Sequence, residues 1–104
     1  MQRGEVWWAD LPKPVGRRPV VILSRDRAIQ VREYVTVAEV TRTIRNIPAE
    51  VLLGPEDGLP KKCVVNLDVI NTIPKQLLVD HITTLKSEKI KAVELALGFA
   101  LALP

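Results

Sequence analysis

The sequence predicts a mainly β domain with one C-terminal helix: five or six short antiparallel strands, half-rolled into a small barrel that the helix caps. Three observations carry this. Short apolar or alternating runs recur between residues 4 and 85, bounded by proline, glycine and acidic turn residues. Beyond Leu85 the alternation gives way to apolar residues at helical spacing. The connections between runs are short, which favours antiparallel neighbours over crossovers.

Each element follows from its residues. "GEVWWADL" (4–11) mixes aromatic and β-branched residues and stops at Pro12, so it reads as a strand. "KPVGRR" is a loop punctuated by proline and glycine. "PVVIL" (19–23) is a continuous apolar run, expected of a strand covered on both faces, with Pro19 at its start where a missing amide does no harm. "REYVTVAEVTR" (32–42) alternates from Val35 onward. Val35, Val37, Glu39 and Thr41 share one face, and Thr36, Ala38 and Val40 the other. "AEVLL" is the next run, and "GPEDGLPKK" is the strongest turn signal in the chain. "CVVNLDVI" (63–70) reads as a strand, "PKQLL" as a short helical turn and "DHITTL" as a last strand. Ser87 is the expected N-cap of the helix. Its apolar stripe is Ile90, Val93, Leu97 and Leu101, widened by Leu95, Phe99 and Leu103. Lys86, Lys89 and Lys91 sit at the end of the helix that disfavours cations, which requires them to be solvated.

Composition narrows the function. With 104 residues, 47% of them apolar, the chain makes one domain with a modest core, for which pairing with a second copy is a remedy. No apolar stretch approaches the ~20 residues of a membrane span, and "MQRGEVWW" has no secretory leader pattern. One cysteine, Cys63, excludes an internal disulfide and fits a reducing cytoplasm. The net charge of +3 is mild, but Lys13, Arg17, Arg18, Arg25, Arg27 and Arg32 crowd the first third of the chain. A solubilising surface would explain that bias as readily as a nucleic acid.

Several chemistries lack their residues. Cys63 and His81, with no acidic cluster beside them, do not make a zinc site, and no metal is expected. No glycine-rich loop opens a helix, so no nucleotide cofactor is expected. His81, flanked by a charge and apolar residues, reads as a surface residue. What remains is arginine, threonine, lysine and carboxylate. RNA cleavage suits that set, because the substrate supplies its own 2′-hydroxyl nucleophile. The protein must then remove a proton, stabilise charge on the phosphate and help the 5′-oxygen leave.

"RGEVWWADL", "GRRPVVIL", "VAEVTRT", "GLPKKCVVNLDVINTI" and "ITTL" before a final helix resemble, in that order, the MazF/PemK toxins of bacterial toxin–antitoxin pairs. The resemblance implies an SH3-like antiparallel β-barrel and a homodimer. It implies metal-independent, sequence-selective cleavage of single-stranded RNA, and neutralisation by a cognate antitoxin with an acidic, disordered tail. It also implies catalytic roles for Arg18, which precedes the proline of the "RP" block, for Thr41, and for Asp68 in "VVNLDVINTI". By residue type alone Arg18 would pair with a carboxylate at the barrel rim, Thr41 would be a plain strand threonine, and Asp68 would cap a turn.

Lys13, Arg17, Arg25, Arg42 and Arg45 are expected to attract phosphate. Asn71 is counted with the RNA-binding positions, although many members carry arginine there. Trp7 and Trp8 offer a stacking platform, but successive strand residues face opposite ways, so at least one is expected in the core. Two departures stand out. The connection between the first two strands is short, and Glu39 stands where proline or a small residue is expected. Glu39 is therefore read as a partner of Arg18 or as a general base in place of Asp68. Two other functions fit the same fold: a non-enzymatic poison of DNA gyrase and an inactive SH3-like binding module. The final "GFALALP" lacks the tryptophan-containing tail of the gyrase poison. Cys63, beside Lys61 and Lys62, is either a mildly acidified thiol or a small buried residue.

Overall fold

The computed structural model describes residues Met1–Pro104. Six strands form one sheet: β1 (Glu5–Asp10), β2 (Arg17–Ile22), β3 (Tyr34–Thr41), β4 (Glu50–Leu53), β5 (Cys63–Pro74) and β6 (Leu78–Thr84). Their order is β4-β5-β3-β2-β1-β6, and every neighbouring pair is antiparallel. The outer strands β4 and β6 do not pair, so the curled sheet stays an open half-barrel. Helix α2 (Ser87–Ala100) packs on β4 and β5.

The apolar run of β2 explains why the sheet has two cores. Val21 and Leu23 join Val6, Ala38, Val40 and Leu53 on the face that α2 covers through Val93 and Ala96. Val20 and Ile22 join Val35, Val37 and Ile73 on the other face, closed by Ile29 and Leu78. Both faces of β2 are thus dry, as a continuous apolar run demands. Pro19 pairs only with β1, since β3 joins β2 from Val20 onward, and its missing N–H costs no ladder bond there.

Four sequence expectations need correction. A six-residue helix α1 (Asp26–Val31) buries Ile29 between β2 and β3, where arginine-rich sequence gives no periodic signal. β5 does not stop at Ile70 but continues to Pro74. Ser87 is the first helical residue and not the cap; Lys86 stands at the N-cap without a side-chain hydrogen bond. The helix also has two apolar faces instead of one wide stripe. Val93 is buried, whereas Leu95, Phe99 and Leu103 are 70%, 60% and 59% exposed. A step of four residues sets Leu95 and Phe99 on one outer face of the helix, whereas Leu103 lies beyond its end, after Ala102 turns the chain at φ 54°.

A bulge shapes the site. β3 pairs Ala38 with Ile70 but Glu39 with Asn66, leaving Leu67, Asp68 and Val69 outside the ladder. Leu67 remains buried and its N–H donates to the Ala49 carbonyl at 2.8 Å. The Asp68 N–H folds back onto Asn66 Oδ1 at 3.0 Å. No helix of the fold is long and apolar enough to cross a membrane.

Candidate nucleic-acid interface

Arg18 and Thr41 open onto one groove of about 440 Å³. Its walls come from β1 (Trp8), the start of β2 (Arg17, Arg18), the end of β3 with the turn beyond it (Thr41 to Thr43), and the segment before β5 (Leu59 to Lys61). The placement follows from strand geometry. Glu39 is opposite Val20 in the β2–β3 register. Arg18 lies two residues before Val20 and Thr41 two residues after Glu39, so all four project from one face. That face is apolar core at Val20 and Val37 and polar beyond them, where the sheet runs out from under its cover.

Within the site, Arg18 Nη1 donates to Glu39 Oε1 at 3.2 Å. The Arg18 side chain is 36% exposed and that of Glu39 only 13%. Thr41 Oγ1 accepts the Thr43 N–H at 3.2 Å, which leaves its hydroxyl proton free to donate. Arg42 and Lys61 add cations along the groove. Arg17 is committed elsewhere: its Nε donates to Asp10 Oδ1 at 3.1 Å, and Nη2 lies 3.8 Å from Asp80 Oδ2. A guanidinium and a free hydroxyl on one groove, with further cations and an indole along it, can grip a phosphodiester and stack an unpaired base.

Other positions singled out in the sequence are dispersed. Asp68 stands exposed on the bulge of β5, with no side-chain bond to Arg18 or Glu39. Arg25 caps α1 beyond the far end of β2, seven residues from Arg18, and lines a separate depression with Arg3 and Ser24. Along extended chain that is on the order of 20 Å. Asn71 is exposed opposite Val37, Lys13 is exposed in the β1–β2 turn, and Arg45 is exposed with its N–H on Glu50 Oε1 at 2.9 Å.

Neither tryptophan is fully buried, contrary to expectation. Trp8 borders the groove, while Trp7 lies half-buried against the second core with Nε1 on Glu5 Oε1 at 2.8 Å. The His81 ring leans on Trp7, centroid to centroid 5.5 Å, and its Nε2 lies 3.2 Å from Thr84 Oγ1. Cys63 is buried at the base of the groove. Burial pushes its thiol pKa up, and the Asp57 and Glu56 carboxylates push it further, so the neighbouring lysines do not acidify it. Thr43, Pro60 and Lys61 escaped sequence reasoning because they sit in turns and meet Arg18 only through the fold. No three His, Cys, Asp or Glu side chains come together as metal ligands do.

Comparison with known proteins identifies a family. Residues 2–101 match the model of the PemK-like, MazF-like toxins of type II toxin–antitoxin systems. A probable endoribonuclease MazF5 of Mycobacterium tuberculosis is 41% identical over 99 residues, which cover 94% of this chain and 90% of that protein. Endoribonuclease EndoA of Bacillus subtilis is 34% identical over 99% of this chain and 96% of its own length. Among solved structures, a mycobacterial endoribonuclease in complex with its cognate antitoxin superposes with a TM-score of 0.90. It is 33% identical and covers all of this chain, 100%, and 97% of its own. The fold and groove define a small toxin of the curled-sheet type. The chain belongs to the PemK-like, MazF-like toxin family.

Proposed function

We propose that this protein is an endoribonuclease toxin that cuts single-stranded messenger RNA at selected sites without a metal ion. The observation that carries the reading is the juxtaposition of Arg18 and Thr41 at the mouth of one cationic groove. Arg18 grips the non-bridging oxygens of the scissile phosphate and Thr41 donates its hydroxyl to them. The RNA 2′-oxygen attacks phosphorus as its proton passes to a water molecule, the P–O5′ bond breaks, and the 5′-oxygen takes a proton from water. The products are a 2′,3′-cyclic phosphate and a 5′-hydroxyl. Stabilising charge on the phosphate as it builds is the main contribution such a site makes.

The protein works in the cytoplasm as a homodimer and is silenced by a cognate antitoxin whose acidic, disordered tail complements the cationic groove. The exposed Leu95 and Phe99 of α2, with Leu103 just beyond it, favour a dimer, since a lone chain would leave them in water. The relatives' names, and a relative solved together with its antitoxin, favour the activity and the partner.

The deciding experiment incubates the purified protein with a long single-stranded RNA in excess EDTA. Discrete fragments with 5′-hydroxyl ends are expected, lost in Arg18→Ala and reduced ~100-fold or more in Thr41→Val. Intact RNA beside arrested gyrase would select the non-enzymatic toxin instead.

A further inference from the structure

We infer that Glu39 is a positioning residue that acts through Arg18, holding the guanidinium so that its free edge meets the scissile phosphate. The inference rests on the RNA-cleaving reading above. Glu39 is largely buried and is absent from the groove wall, so it lies behind Arg18 and not beside the reacting atoms. A single end-on contact joins them, Nη1 to Oε1 at 3.2 Å. Nη2 and Nε of Arg18 make no other hydrogen bond within the chain and stay available for a bidentate grip on phosphate.

The backbone explains why a tether is needed. Arg18 stands where β2 is paired with β1 only; Thr41 follows in register on β3, but no β3 residue is joined to Arg18 in the ladder. An arginine otherwise samples many rotamers, and aligning it as charge builds on the bound phosphate would cost entropy. Glu39 reaches it diagonally from the first β3 residue in the β2 ladder and orders it beforehand. The residue opposite Glu39 on β5 is the neutral Asn66, and Arg18 is the one cation bonded to this carboxylate.

A hydrogen-bond tether, unlike a proton acceptor, survives replacement by an amide. Three variants of the full-length protein therefore decide the matter, each assayed for single-turnover cleavage and for affinity toward a non-cleavable 2′-deoxy RNA. Glu39→Gln keeps the acceptor oxygen and is expected to cleave within a few-fold of the parent. Glu39→Met keeps the stem without the acceptor and is expected to lose about 100-fold in kcat, the penalty of a misplaced group, with KM little changed. Glu39→Ala should match it.

A second readout is independent of turnover. Nitrogen-15 spectra should resolve the two Nη groups of Arg18 in the parent and in Glu39→Gln, and average them in Glu39→Met.

A dead Glu39→Gln that still binds RNA would make Glu39 the general base and overturn the inference. So would a Glu39→Met that cleaves as fast as the parent, or faster, which would make the pair idle or inhibitory. Should Glu39→Met fail to fold by its melting curve, Glu39→Gln and the spectra still decide. Full activity in Arg18→Ala would instead remove the underlying reading, a different failure.

Discussion

Lys89, in the first turn of α2, donates from Nζ to the Leu52 carbonyl oxygen at 2.6 Å and lies 3.6 Å from Asp57 Oδ2. One side chain thus joins the helix, the edge strand β4 and the turn that leads to the groove wall at Leu59 to Lys61. It also explains a lysine at the end of the helix that disfavours cations: Lys89 is held by an acceptor and a carboxylate instead of being merely solvated. Asp57 itself is nearly buried and accepts the Gly54 N–H at 3.0 Å. Lys89→Met should cost about 1.5–3 kcal/mol, the worth of a hydrogen bond to a charged group. A urea denaturation series measures this, and an unchanged midpoint would show that the contact contributes nothing.

Two glycines should respond to alanine with opposite signs. Gly58 has φ +93°, and a Cβ there would lie 2.5 Å from Thr83 Oγ1 and 2.8 Å from Thr83 Cβ. Gly58→Ala is both strained and crowded and should cost about 2 kcal/mol. Gly98, inside α2, has nothing within 4 Å of its added methyl group. Gly98→Ala should stabilise by up to about 1 kcal/mol, because alanine loses less backbone entropy in a helix. Thermal melts of the pair test both.

Arg42 lines the groove and makes no ion pair within the chain. Its contribution to RNA binding should be counterion release. Arg42→Ala is then expected to flatten the slope of log K against log salt by about 0.7, the value for one contact to a single strand. Arg17→Ala should change the slope less, because Asp10 and Asp80 already occupy that guanidinium. Equal slopes for Arg42→Ala and the parent would remove Arg42 from the interface.

The Cys63 thiol should be slow to alkylate at neutral pH. Its folded pKa lies above the ordinary 9.0, first through burial and then through Asp57 and Glu56. Below that ordinary value both states hold the proton and the thiol makes no difference to stability. Above it the unfolded chain gives up its proton first, so stability falls as pH rises. Cys63→Ala should remove this alkaline component, and stability curves from pH 8 to 10.5 compare the two proteins. Rapid alkylation of the native protein at pH 7 would contradict the raised value.

Local chemistry wrote much of this molecule plainly. The apolar run 19–23, the alternation of 35–41 and the turn "GPEDGLPKK" each name an element, because strand period and turn residues are short-range properties. The same alternation places Glu39 and Thr41 on one face before any coordinates exist. Helix α1 was not legible: its single buried residue, Ile29, gives no period. Nor was the exposure of Leu95 and Phe99, which resemble core residues in composition and differ only in which way the helix turns them, or the end of the helix before Leu103.

The sequence by itself determined which residues were available for chemistry and which faces of each strand would be dry. Only the tertiary structure decided which of them meet. It brought Arg18, Thr41 and Lys61 from separate stretches of chain to one groove. It tied Arg17 to two acids and left Asp68 and Arg25 outside. The physical reason is that register and curvature are set by the packing of all six strands together, including a bulge whose three residues carry no mark of it in the sequence.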